Sequence, residues 1–156
     1  MHILLKNLLL ESAVTDNPNF KKWFGDSKIV DNTGKPLKMY HGAKSDIGPV
    51  FQMYRGMLGT GAYFTSNPSE AEEYTSNAVW KTKPNIVPVY LCISNPFIVY
   101  DKYTKVPTDI LNKGYDGVVL KNQTDSIAWG VVTNPTQVKS IYNNGNFDSN
   151  NPDISK

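Results

Sequence analysis

The second half of the chain is cut into short apolar runs by turn signals, and that pattern decides the fold class. Ile86–Ile93 is followed by Asn95-Pro96 and then Phe97–Tyr100; Tyr115-Asp116-Gly117 leads into Val118–Leu120; Trp129–Thr133 closes the series. Each run has the length of a strand and is too short for a core helix. Helical signals fall earlier. Asn17 caps and Pro18 takes the first position of a short helix, whose Phe20, Trp23 and Phe24 share one face before Gly25 ends it. Asn67-Pro68-Ser69-Glu70 opens a second helix, with Glu70 placed to reach back as a capping-box acid, and this helix carries Ala71 and Tyr74 to about Ala78. Strands that outnumber helices, with the helices gathered toward the N-terminal half, predict an α+β fold rather than an alternating one.

Between these helices, residues 28–40 predict a hairpin turning at Asp31-Asn32-Thr33-Gly34 and ending at Tyr40, so that His41-Gly42 stands at a strand end. Residues 43–61 carry no periodicity and form a long Gly-rich loop, a length that usually marks function or motion. Ala62–Thr65 then makes a short strand. The expected layout is an N-terminal segment over 1–11, a polar linker over 12–19, one domain over 20–142, and an Asn- and Asp-rich tail over 143–156 that is extended or disordered.

Composition closes several function classes. A single cysteine, Cys92, excludes a disulfide framework within the chain, and with only His2 and His41 beside it a zinc site has almost no ligands. No metal is expected. A net charge of +2 is too weak to argue nucleic-acid binding from electrostatics. No apolar stretch approaches a bilayer's width, so no membrane association is expected. The opening MHILLKNLLL lacks a small-residue cleavage site before Glu11, which disfavours a secretory signal and leaves a short amphipathic helix docked on the domain.

Three segments carry the chemistry: Tyr40-His41-Gly42, Gly59-Thr60-Gly61-Ala62-Tyr63-Phe64, and Tyr74 on the following helix. Singly, each has a plain reading. A histidine at a strand end is commonly a structural hydrogen-bonder, paired glycines are commonly a turn, and helical tyrosines are commonly core. Their spaced combination resembles the ADP-ribosyltransferases of the diphtheria-toxin and PARP branch, and most of all the small transferase domains of phage polyvalent proteins. The resemblance covers Phe20 to Ile154. It includes Gly59-x-Gly61-x-Tyr63-Phe64 with Tyr74 eleven residues later, the late stretch Val131–Ser140, and the ending Asn144–Asp148 with Asn151–Ile154.

The resemblance implies a split β-sheet core with few helices around a cleft for NAD, which serves as substrate. It implies that His41 bonds a ribose hydroxyl, that backbone groups of Gly42 grip the nicotinamide amide, and that Tyr63 and Tyr74 sandwich the ring, with Gly61 in the cofactor-binding set. Arg55 would reach the pyrophosphate, unless it is simply a solvated surface arginine. The reaction implied is transfer of one ADP-ribose from NAD to a host protein or nucleic acid, with nicotinamide released. The N-terminal Leu9-Leu10-Glu11 also resembles the cleavage ending of capsid-targeting peptides in internal head proteins of phages. That implies action in the host bacterial cytoplasm after packaging in the phage head, by a protein expected to be monomeric.

The chain departs from the family at its third catalytic element, a glutamate at the start of a late strand. Trp129 aligns there, and no glutamate follows Glu73. Gln123, Asp125 and Gln137 are the polar candidates; Gln137 stands as the catalytic surrogate, against the plain reading that relatives carry a structural glutamine there. Ala43 and Ala71 replace hydroxyl residues common among relatives. The loss of the glutamate argues against chain elongation and keeps a second class open: a catalytically inactive module that binds NAD or ADP-ribose, or a packaged head protein.

Overall fold

The computed structural model describes residues 2–43, 48–76 and 85–156. Among these residues the order is α1 (His2–Asp16), α2 (Pro18–Phe24), β1 (Met39–Ala43), β2 (Tyr54–Gly56), β3 (Gly59–Thr65), α3 (Pro68–Ser76), β4 (Asn85–Leu91), β5 (Pro96–Val99), β6 (Gly117–Lys121), β7 (Ile127–Val132), a 3-10 turn (Pro135–Gln137) and β8 (Val138–Ser140). The strands lie in the order β5-β6-β7-β3-β1-β4-β8, with β2 paired to β3. This is the expected α+β architecture, and the sheet is split. β1 pairs β4 through all of Met39–Ala43, and β3 pairs β7 from Ala62 to Thr65, yet β1 and β3 share only the register pair Tyr40↔Thr65. Beyond that pair the two central strands part, and the opening holds the site.

Local chemistry explains most elements. Asn17 Oδ1 accepts from Asn19 N (2.8 Å) at the start of α2, and Phe20, Trp23 and Phe24 are buried on the expected face, joined by Tyr90 and Phe147. A second core of Met39, Phe64, Val89, Leu91 and Val132 fills the centre, and a third gathers Leu58, Val118 and Val131. Pro88 sits inside β4, which strands rarely allow because proline has no N–H to donate. It faces the position just past the end of β8, where only its carbonyl is used, by Ile141 N.

Four expectations change. α1 continues through the supposed linker to Asp16: Thr15 Oγ1 donates to Glu11 O (2.9 Å), Ser12 Oγ donates to Asp16 Oδ2 (3.2 Å), and Val14 is buried in the α2 core. Polar residues read as linker because their local helix bonds and one tertiary contact are invisible in composition. The hairpin over 28–40 reduces to one bridge, Val30↔Pro36, closed by the expected turn at Gly34. The loop over 43–61 contains β2, whose pairing with β3 supplies the order that periodicity lacks. The tail over 143–156 is folded. Lys139, fully buried, donates through Nζ to the carbonyls of Asn151 (2.8 Å), Asp153 (3.3 Å) and Lys156 (2.8 Å), while Phe147 and Ile154 join the core. The expected end of α3 at Ala78 lies outside the described residues.

Candidate active site

The opening between β1 and β3 is a cleft of about 820 Å³, within the usual range of small-molecule and cofactor sites. His41 and Gly42 come from β1, Gly61, Tyr63 and Thr65 from β3, Glu70 and Ala71 from α3, and Trp129 from β7. β2 adds Arg55, which is exposed along one wall.

His41 bridges the split. Its Nδ1 lies 2.8 Å from the carbonyl oxygen of Tyr63. A carbonyl only accepts, so Nδ1 carries the proton, and in the neutral ring Nε2 is left with its lone pair. Burial holds the imidazole below its ordinary range, with the bond to Tyr63 opposing in part. The ring packs edge-on against Phe51 at 4.9 Å and against Phe64 at 5.4 Å, so its orientation is set before any ligand arrives. A neutral histidine with one committed and one uncommitted nitrogen is suited to accept a hydroxyl proton in a hydrogen bond.

Tyr63 is pinned in a different way. Its hydroxyl donates to Gly59 O (2.5 Å) and accepts from Leu58 N (2.8 Å), and burial pushes the phenol above its ordinary value. With the hydroxyl committed to the turn that joins β2 to β3, Tyr63 offers its ring face rather than its oxygen. Gly56 is what lets the ring sit there. A Cβ at Gly56 would fall 2.7 Å from Cζ of Tyr63 and 2.8 Å from its hydroxyl.

Gly42 and Gly61, which the sequence predicts to face a ligand, also have packing duties. A side chain on Gly42 would strike the backbone carbonyl of Ala71, so glycine lets α3 close on β1; one on Gly61 would strike the carbonyl of Val132 and the side chain of Val131. Tyr74 falls on α3, but its side chain lies outside the described residues, as does that of Ala43.

The candidates for a third catalytic group do not reach the cleft. Gln137 spends both ends of its amide elsewhere. Oε1 accepts from Thr133 N and Asn134 N (both 2.9 Å), and Nε2 donates to Asp116 O (2.8 Å) and Cys92 O (3.0 Å). It is the closing residue of a capping box with Asn134, a structural knot. Asp125 sits with positive φ on an exposed turn beside Lys121 and Tyr100, and Gln123 is exposed on the same turn.

A different carboxylate lines the cleft. Glu70 was expected to cap α3, but Asn67 N donates to Thr65 Oγ1 (3.1 Å) instead. Thr65 Oγ1 in turn donates to Glu70 Oε2 (3.1 Å), and Glu70 Oε1 accepts from Trp129 Nε1 (2.8 Å). The indole therefore links Glu70 to the Tyr63 ring, 6.5 Å from its own centroid. Sequence spacing alone had no means of finding this contact, because it joins residues 59 positions apart. Among the described residues no group of His, Cys, Asp and Glu is placed to hold a metal ion.

A split sheet with a histidine and a pinned tyrosine on opposite lips of its cleft defines the class: an α+β domain of the ADP-ribosyltransferase kind. The family described as ADP-ribosyltransferase in polyvalent proteins matches residues 31–110, just over half of the chain and the part that carries β1, β3 and α3. The chain belongs to that family. A search of curated proteins finds no match.

Proposed function

We propose that the chain is a mono-ADP-ribosyltransferase that takes NAD as substrate, releases nicotinamide and moves a single ADP-ribose to a protein or nucleic-acid acceptor in a bacterial host. The observation that carries this reading is the state of His41: neutral, oriented by the Tyr63 carbonyl, and left with Nε2 as an acceptor inside the cleft. Cleaving the bond between nicotinamide and ribose builds positive charge on the sugar, so the protein's part is positioning and charge stabilisation rather than covalent attack. His41 holds the ribose hydroxyl. The face of Tyr63 stacks on the flat, cationic ring, which favours an aromatic surface. Backbone groups of Gly42 grip the nicotinamide amide, with Gly61 in the same cofactor-binding set, and Arg55 meets the phosphates at the exposed wall.

The test is incubation with NAD and a bacterial lysate, following free nicotinamide and identifying labelled products by mass spectrometry with and without nuclease. Release by the wild-type chain that is lost in Tyr63→Ala supports the reading. A second reading, a dinucleotide-binding module without turnover, is favoured by the sequence resemblance, which aligns Trp129 with the late-strand glutamate of the family. Binding seen by calorimetry without any nicotinamide release selects that reading.

A packaged form in the phage head, cut after Glu11, is proposed from the N-terminal resemblance. Glu11 forms an ion pair with Lys38 and Leu10 packs against the α2 core, whereas Leu5, Leu8 and Leu9 are exposed. A virion-derived chain that begins at Ser12 supports cleavage, and one that begins at Met1 refutes it.

A further inference from the structure

We propose that Glu70, on α3, supplies the carboxylate that stabilises the reacting sugar, and that Trp129 is the positioning residue that aims it. The inference rests on the transferase reading above and assigns a catalytic group that the late strand lacks.

Three observations meet at this side chain. Glu70 lines the same cleft as His41 and Tyr63 and is half-buried. Its carboxylate is turned away from the capping position that its place in the first turn offers, since the Asn67 N–H is served by Thr65. Both oxygens are held, Oε2 by the Thr65 hydroxyl and Oε1 by the indole N–H of Trp129. An ionised carboxylate has about four acceptor positions, so two fixed donors orient it and leave acceptor capacity on both oxygens. A helix-terminal glutamate that served stability alone would gain more from the free N–H groups of its own helix than from an indole on a distant strand.

Trp129 lies on β7 directly opposite Thr65. That register places at one point the strand residue aligned with the family's glutamate, the threonine that relays the cap, and the helix that delivers the carboxylate. On this assignment the helix supplies the negative group and the strand residue clamps it.

In the reaction the bond from ribose C1′ to the nicotinamide nitrogen breaks, and its electron pair goes to the ring, which leaves neutral. The sugar carries the positive charge until an acceptor atom donates an electron pair to C1′ and gives up its proton to water. Glu70 accepts a hydrogen bond from the ribose and faces that transient charge in a cleft where water is partly excluded, the setting in which a fixed charge counts most.

The experiment compares nicotinamide release by the wild type, Glu70→Gln, Glu70→Asp, Trp129→Phe and the Glu70→Gln/Trp129→Phe pair, with KM for NAD and thermal melting of each. Glutamine keeps the shape and an acceptor for Trp129, so its effect isolates the charge. Glu70→Gln should lower kcat about 100-fold or more while KM moves by less than about threefold, because the charge acts on the transition state. Glu70→Asp, which keeps the charge but withdraws it by one methylene, should recover part of that loss. Trp129→Phe should lower kcat about tenfold with KM unchanged, and should add nothing in the Glu70→Gln background, since the charge that Trp129 aims is already gone there. Glu70→Gln and Trp129→Phe each within about threefold of an active wild type would overturn the proposal alone. A wild type that binds NAD and never releases nicotinamide overturns the transferase reading, and this assignment with it.

Discussion

The cleft and the knot beneath β8 are both held by polar side chains, and they treat hydrogen-bonding capacity in opposite ways; His41 does so from the middle of β1, not from the strand end that the sequence suggests. In the knot everything is spent. The Gln137 amide is committed at both ends, and three carbonyls take up the Lys139 ammonium. In the cleft each group is held by part of its capacity and keeps the rest. His41 is fixed through Nδ1 and keeps Nε2, Glu70 is fixed by two donors and keeps further lone pairs, and Tyr63 commits its hydroxyl and keeps its ring. A polar residue that spends all its capacity holds a fold together; one that is oriented but unspent is equipped to meet a ligand.

The strongest way to break this contrast is in the knot. Lys139→Met replaces a buried ammonium by a side chain of similar length and removes its three hydrogen bonds to carbonyls of the tail. It should cost about 4 kcal/mol of stability in urea unfolding, since bonds to charged groups are worth more than neutral ones. In a domain of this size that lowers Tm by roughly 8 to 16 °C. A Lys139→Met chain as stable as wild type would show that the tail is not anchored as described.

A smaller effect sharpens the cleft side. Gly56→Ala puts a methyl group against the Tyr63 ring and forces the ring or β2 to move. Turnover should fall about tenfold, for a stability cost of about 1–2 kcal/mol typical of overpacking. Full activity would mean that the exact seat of the Tyr63 ring is unimportant.

Smaller still is the pH dependence from His41. Its folded pKa is depressed below the ordinary 6.5, with burial the main cause. In the unfolded chain the ring takes up a proton near pH 6.5 while the folded ring stays neutral. The associated stability is therefore fully present above 6.5 and is lost as pH falls from there through the folded value. Turnover, which needs a neutral Nε2, should persist at pH 6.5 and decline only below it. An NMR titration of His41 with its midpoint above 6.5 would contradict both statements.

Much of the framework was legible in the sequence because it rests on local signals. The cap and aromatic face of α2 and the short strands with their turns depend on neighbours within a few positions. What escaped depends on tertiary partners. The 143–156 tail looks disordered by composition, yet its asparagines and aspartates form local turns, such as Asn143 Oδ1 accepting from Gly145 N (3.0 Å) and Phe147 N (3.2 Å), and Lys139 ties them to the sheet. Gln137 looked catalytic because a glutamine's role depends on which backbone groups surround it. Glu70 looked like a cap for the same reason: its alternative partner is on a strand far along the chain.

The central claim is that the cleft acts and the knot supports, and it is tested most directly by one paired assay: nicotinamide release and thermal melting of the wild type, His41→Ala and Gln137→Ala. His41→Ala should remain folded and lose about 100-fold or more of the turnover. Gln137→Ala should be about 2–3 kcal/mol less stable and, at a temperature where it is folded, turn over at the wild-type rate. A folded Gln137→Ala without activity, or a His41→Ala that releases nicotinamide as fast as the wild type, would contradict the account.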